Sequence, residues 1–78
     1  MSIDDKVLDA QRRYIGSTGR NANYIYVGDE EYQEMMNSEL MQLNAKYYDK
    51  ETKLIGGRFF AGMKVIRVRQ SKHFNIAT

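Results

Sequence analysis

Cysteine is absent from this chain of 78 residues, and histidine occurs once, as His73. Without cysteine there are no disulfides, no thiolate nucleophiles and no Cys-type zinc sites. One histidine excludes a multi-His metal site within a single chain. No apolar run approaches the roughly 20 residues that span a bilayer, and the opening MSIDDKVLDAQRR has no apolar stretch of the kind a secretory signal needs. A reducing compartment is therefore expected, with no membrane contact. Internal repeats and low-complexity segments are also missing.

Length limits the chain further. A domain this small buries only about 60–65% of the surface its unfolded form exposes, which leaves a marginal core. With disulfides and metals unavailable, the external support expected is a partner protein or further copies of the chain.

Charge is small in sum and uneven in placement. The net charge is +2. Residues 1–45 hold four Lys and Arg against eight Asp and Glu, a net of −4, and residues 46–78 hold eight against two, a net of +6. So dipolar a chain can draw a polyanion to its basic half, or stack head to tail with copies of itself.

The hydrophobic pattern predicts one domain over 1–78, with an N-terminal helix at 3–15, a linker at 16–22 and an α+β core at 23–77. Ser2 with Asp5 is a helix-start signal, Ile3, Val7, Ala10 and Tyr14 recur at helical spacing, and Gly16 is read as the stop. Tyr24 to Val27 is aromatic and β-branched, which predicts a short strand with Ile25 and Val27 on one side and Tyr24 and Tyr26 on the other. Asp29 is read as the N-cap of a long helix over 30–45, whose stripe is Tyr32, Met36, Leu40, Leu43 and Tyr47. A turn over 49–52 follows. Then come a short strand at Leu54-Ile55, a break at Gly56-Gly57, strands at 58–60 and 63–69 around Ala61-Gly62, a turn at 70–73 and a last strand at 74–77. The fold class is α+β in the order α-β-α-β-β-β. The late connections are too short for crossovers, so the sheet is expected to be mostly antiparallel, with the one long amphipathic helix packed on it.

Four clusters invite a chemical reading. Gly16 to Arg20 has a glycine at each side of Ser17-Thr18, but a phosphate loop needs a strand before it, a helix after it and a lysine; a plain linker fits better. Asp29, Glu30, Glu31 and Glu34 could hold a cation or serve as acid and base, yet carboxylates in a first helical turn are also what the helix dipole favours. His73 has no nucleophile paired with an orienting acid, and reads as a turn histidine. Arg58, Lys64, Arg67, Arg69 and Lys72 are the main basic concentration. With Phe59, Phe60 and Phe74 they could bind nucleic acid by phosphate contact and base stacking. The same phenylalanines are needed for the core, and Lys64 is expected on the opposite strand face from Arg67 and Arg69. No catalytic residue, metal, cofactor or small-molecule substrate is expected.

One resemblance adds to these readings. The run Tyr24-Ile25-Tyr26-Val27-Gly28-Asp29-Glu30-Glu31-Tyr32, then a helix, then Gly57-Arg58-Phe59-Phe60-Ala61-Gly62-Met63-Lys64-Val65-Ile66-Arg67-Val68, resembles the apical-domain segment of tailed-phage major capsid proteins. It covers residues 23–77. The family's N-terminal arm, long spine helix and extended loop have no counterpart in these residues. The resemblance therefore implies an accessory phage protein in the virion or the host cytoplasm, and it carries over no active site.

The expected function is that of a small non-enzymatic phage protein working through protein–protein contacts, as an accessory virion component. Expected contact residues are Tyr24, Tyr26, Met35 and Met41, because aromatics and Met are enriched at interfaces and the two methionines lie off the main helical stripe. An inhibitor of a host enzyme or defence complex, using Glu30, Glu31 and Glu34 as an acidic decoy, is one alternative. A nucleic-acid-binding module built on the basic C-terminal strands is the other.

Overall fold

The computed structural model describes residues 2–50 and 53–78. Glu51 and Thr52 of the expected 49–52 turn lie outside the described residues. The elements are α1 (Ile3–Thr18), β1 (Tyr24–Val27), α2 (Asp29–Met36), β2 (Met41–Tyr48), β3 (Ile55–Phe60), β4 (Met63–Arg67) and β5 (Phe74–Ala77). The five strands form one mixed, mostly antiparallel sheet in the order β2-β3-β4-β1-β5. β1 pairs parallel with β4, and the other pairings are antiparallel. The fold is thus α+β as expected, with two changes: β2 takes the place of the second half of the expected long helix, and the strands expected at Leu54-Ile55 and 58–60 are one strand, β3, running through the predicted break at Gly56-Gly57. No helix among the described residues is long and apolar enough to cross a membrane.

α1 starts as the capping signal predicts: the Asp5 N–H donates to Ser2 Oγ at 3.2 Å. Its end lies three residues later than expected. Gly16 sits inside the helix, Thr18 Oγ1 donates to the Tyr14 carbonyl at 2.7 Å, and the helix closes where the Gly19 N–H donates to the Ile15 carbonyl at 2.8 Å. A helical glycine costs only about 1 kcal/mol against Ala, which one more turn of hydrogen bonds outweighs. The 16–22 linker is accordingly shorter than predicted.

The expected helix over 30–45 is where the chain departs most from its periodicity. α2 spans eight residues, Gly28 rather than Asp29 is its N-cap, and the chain leaves the helix at Asn37. Ser38 explains the exit. Its hydroxyl donates to Asp4 Oδ1 at 2.5 Å and accepts from the Leu40 N–H at 3.1 Å. Such short polar side chains offer the backbone an alternative to the helix ladder. Beyond it, Met41, Leu43, Ala45 and Tyr47 alternate with Gln42, Asn44, Lys46 and Tyr48, a strand pattern that β2 takes up from Met41 and keeps until its register against β3 shifts between Asn44 and Tyr48.

The core lies between the two helices and one face of the sheet. Ile3 and Val7 of α1, Met35 of α2, Ile25 and Val27 of β1, Phe60 and Met63 are buried there with Ala22. Met35, expected on a contact surface, has no exposed area, whereas Met36, expected in the core, is 40% exposed. The buried face of α2 runs through Tyr32 and Met35, one position away from the predicted stripe. Leu43 likewise leaves the core for the surface. Ala61 and Gly62 link β3 to β4, both at positive φ. This is the mirror-image two-residue turn whose twist matches that of the strands.

Sheet order sets one further constraint. β4 and β5 flank β1, so the 68–73 connection must cross the end of β1, where Gly28 lies. There the Gly28 N–H donates to the His73 carbonyl at 2.9 Å, Asp29 N–H to Gln70 at 2.8 Å and Glu30 N–H to Ser71 at 3.0 Å. The first N–H groups of α2, which a helix leaves unpaired, are satisfied by this loop. Glu31 completes the clasp by accepting from the His73 N–H at 3.0 Å.

That hydrogen bond holds the Glu31 carboxyl below its ordinary value of 4.5. A lowered carboxylate stabilises the fold above its unfolded value, and the contribution is lost as pH falls through the folded one. Glu31→Gln keeps an acceptor but removes the charge, so it should cost about 1 kcal/mol near neutrality. The gap from wild type should close as pH falls below the ordinary carboxylate range. Urea melts of both proteins from neutral to acid pH measure this, and parallel curves throughout would contradict it.

Candidate functional site

The sheet face away from the helices carries the most distinctive side-chain grouping. Cross-strand pairing places Tyr24 beside Lys64 and Tyr26 beside Ile66, and β5 adds Ala77 and Asn75 on the same face. This is the orientation predicted for Tyr24 and Tyr26. At the far side, the register of β2 against β3 shifts between Asn44 and Tyr48. Such an irregularity bends a strand and re-aims its side chains, and both Tyr47 and Tyr48 line the same cleft as Tyr24 and Tyr26.

The cleft has a volume of about 680 Å³ and is lined by the four tyrosines, Ile66, Lys64, Asp49 and Lys50. The Tyr47 ring meets Phe59 edge to face, with centroids 5.2 Å apart. Lys64 Nζ lies 4.7 Å from the centre of the Tyr47 ring and forms an ion pair with Asp49. Both charged side chains are less than one-fifth exposed. The hydrogen bond to Asp49 raises the Lys64 ammonium above its ordinary 10.5, against the opposing pull of desolvation. The cation therefore stays charged and matched by its carboxylate at neutral pH. Chemically, the cleft offers aromatic surface and phenolic hydroxyls around an internally neutralised centre.

The five basic residues considered for nucleic acid are not gathered together. Lys64 is in the cleft with Asp49. Arg67 is on the helix side, where its Nε donates to Asp29 Oδ1 at 2.8 Å and its guanidinium lies 5.1 Å from the Tyr32 ring. Lys72 Nζ is 3.9 Å from Glu30. Arg58 is half-buried on β3, and Arg69, expected on a strand beside Arg67, is exposed in the loop after β4 ends. Of the three phenylalanines, Phe60 is wholly buried and Phe74 packs on the core beneath Lys6, whose Nζ is 4.7 Å from its ring.

The other expected contact residues are also dispersed. Met41 is half-buried against the core. Glu30 and Glu34 are exposed on α2, while Glu31 is committed to the His73 backbone. Tyr47, Tyr48, Asp49 and Ile66 were not expected at the site. The alternation through 41–48 could have located Tyr48 at most; Tyr47 joins it because the register shifts between Asn44 and Tyr48, and Asp49 reaches Lys64 only through the tertiary fold. No family model matches the chain, nor does any curated protein or solved structure.

Proposed function

We propose that this domain is a small non-enzymatic protein that acts by binding another protein through its tyrosine cleft. The supporting observation is the convergence of Tyr24, Tyr26, Tyr47 and Tyr48 around a centre whose one deep cation is already paired with Asp49. Tyrosine supplies a large amphipathic contact area at low entropic cost, and it is enriched where interfaces gain most of their energy. The resemblance of residues 23–77 to the apical-domain segment of tailed-phage capsid proteins motivates the setting, an accessory phage component in the virion or the infected host.

Two readings are weakened by particular contacts. An acidic decoy would need Glu30, Glu31 and Glu34 to be available together, and Glu31 is held by the His73 N–H. A nucleic-acid module would need its cations to be unmatched on one face. Instead Lys64, Arg67 and Lys72 each face a carboxylate.

The test uses immobilised protein and an extract of phage-infected cells. Wild type should retain a specific partner, and Tyr26→Ala with Tyr48→Ala should weaken that binding by at least about thirtyfold, about 2 kcal/mol, as expected for central aromatic contacts. Thermal melting shows whether the variant stays folded. A gel shift in about 50 mM salt, where phosphate contacts are strongest, should give no complex. Equal partner retention by the folded double variant would overturn the proposal.

A further inference from the structure

Tyr47 lies in the cleft although the strand pattern aims it elsewhere. Alternation from Met41 and Leu43 would put its ring on the helix side of β2. The ring instead lies on the open sheet face, against Phe59 and beside Lys64. The irregularity in β2 permits this. β2 and β3 pair as far as Asn44 with Gly57 and resume at Tyr48 with Ile55, so Ala45, Lys46 and Tyr47 stand opposite Gly56 alone. Residues left out of the ladder are not aimed by it.

Positions on β3 and β4 form a seat for the ring. Gly57 leaves the space, since a Cβ there would lie 3.1 Å from Tyr47 Cδ1. Phe59 supplies the edge-to-face contact. Lys64, the cross-strand neighbour of Phe59, sets its ammonium 4.7 Å from the ring centre and pairs it with Asp49. It therefore grips the chain on both sides of Tyr48, through an aromatic face and through a carboxylate. Both attractions belong to the charge and gain strength where water is scarce. The Lys64 side chain is itself only 16% exposed, which leaves little of it for a partner to touch.

We infer that Lys64 is a positioning residue of the tyrosine cleft, acting through Tyr47 and Asp49 to hold the bulged end of β2 on the open sheet face. Its effect on partner binding rests on the reading given above; its effect on Tyr47 does not. The seat, rather than the strand ladder, then sets where the far wall of the cleft stands.

NMR of the free protein with labelled aromatic rings tests this without a partner. Wild type should show NOEs from the Tyr47 ring to Phe59 and Gly57. Lys64→Met keeps the apolar stem and removes the charge, so it should lose most of them while the amide spectra of β1, β4 and β5 stay close to wild type. Lys64→Arg, which keeps a cation able to lie over the ring and pair with Asp49, should restore them. Asp49→Asn, a change in the turn rather than the sheet, should weaken the same NOEs in smaller degree, and it serves as the test if Lys64→Met does not fold. Lys46→Met controls for lost charge and should leave the NOEs as they are. In the partner assay Lys64→Met should bind at least about tenfold more weakly, with Lys64→Arg near wild type. Unchanged Tyr47 NOEs in folded Lys64→Met, or in Asp49→Asn where Lys64→Met does not fold, would overturn the inference whatever the partner does. NOEs lost with partner binding intact would uphold the positioning role and count instead against the cleft as the binding surface.

Discussion

Gly28→Ala is expected to destabilise the protein by about 2–4 kcal/mol, although its backbone conformation suits alanine. Gly28 has φ −83 and ψ −176, ordinary extended values, so the cost comes from space alone. A Cβ there would lie 2.7 Å from the Gln70 carbonyl oxygen and the His73 nitrogen, and 2.9 Å from the Lys72 carbonyl carbon. All three are backbone atoms of the loop that crosses β1, and they cannot swing aside as a side-chain tip could. Relief requires lifting the loop, which breaks the hydrogen bonds to Gly28, Asp29 and Glu30 at about 1 kcal/mol each. A 78-residue domain has only about 4–12 kcal/mol of stability in total. The melting temperature should drop by roughly 10–25 °C. Amide exchange at Asp29 and Glu30 should accelerate before exchange in β1. A melting point within a degree or two of wild type would show that the loop does not hold α2.

The second large effect separates two adjacent methionines. Met35→Ala should cost about 2–5 kcal/mol, the usual range for emptying a fully buried Met site, and Met36→Ala should cost about 0.5 kcal/mol or less. Met35 has no exposed area and packs among Phe60, Met63 and Ile25 in the core cluster, while Met36 is 40% exposed. Urea denaturation of both variants gives the comparison directly. A larger loss for Met36→Ala would mean that the face of α2 assigned to the core is the wrong one, and that the longer helical stripe of the sequence pattern is right.

The methionine pair also shows where pattern reading reached its limit. Residues 32–47 satisfy two periods at once. Tyr32, Met36, Leu40, Leu43 and Tyr47 suit a helix, and Met41, Leu43, Ala45 and Tyr47 suit a strand. Local sequence does not break that tie. Ser38 breaks it, by hydrogen bonding to Asp4 in the first turn of α1, 34 residues away. Where only one period was present, the reading held: α1 begins at the Ser2 cap, β1 presents Ile25 and Val27 inward, and β5 spans 74–77 as expected. At the cleft, Tyr24 and Tyr26 were legible because strand alternation is a local rule. Tyr47 and Tyr48 were not, because the helical stripe claims Tyr47 and only the register shift between Asn44 and Tyr48 brings both to the cleft.

Composition alone fixed that neither thiol chemistry nor a multi-histidine metal centre is open to this chain, and alternation alone set which side of β1 faces inward. Tertiary structure decided the pairing of Lys64 with Asp49, the satisfaction of α2 by the 70–73 loop, and the exposure of Leu43 on β2. The physical reason is range. Periodicity and capping act within a few residues, whereas a cation's carboxylate, a helix's first hydrogen-bond acceptors and the cover over a strand are supplied by whichever distant segment the sheet order brings alongside.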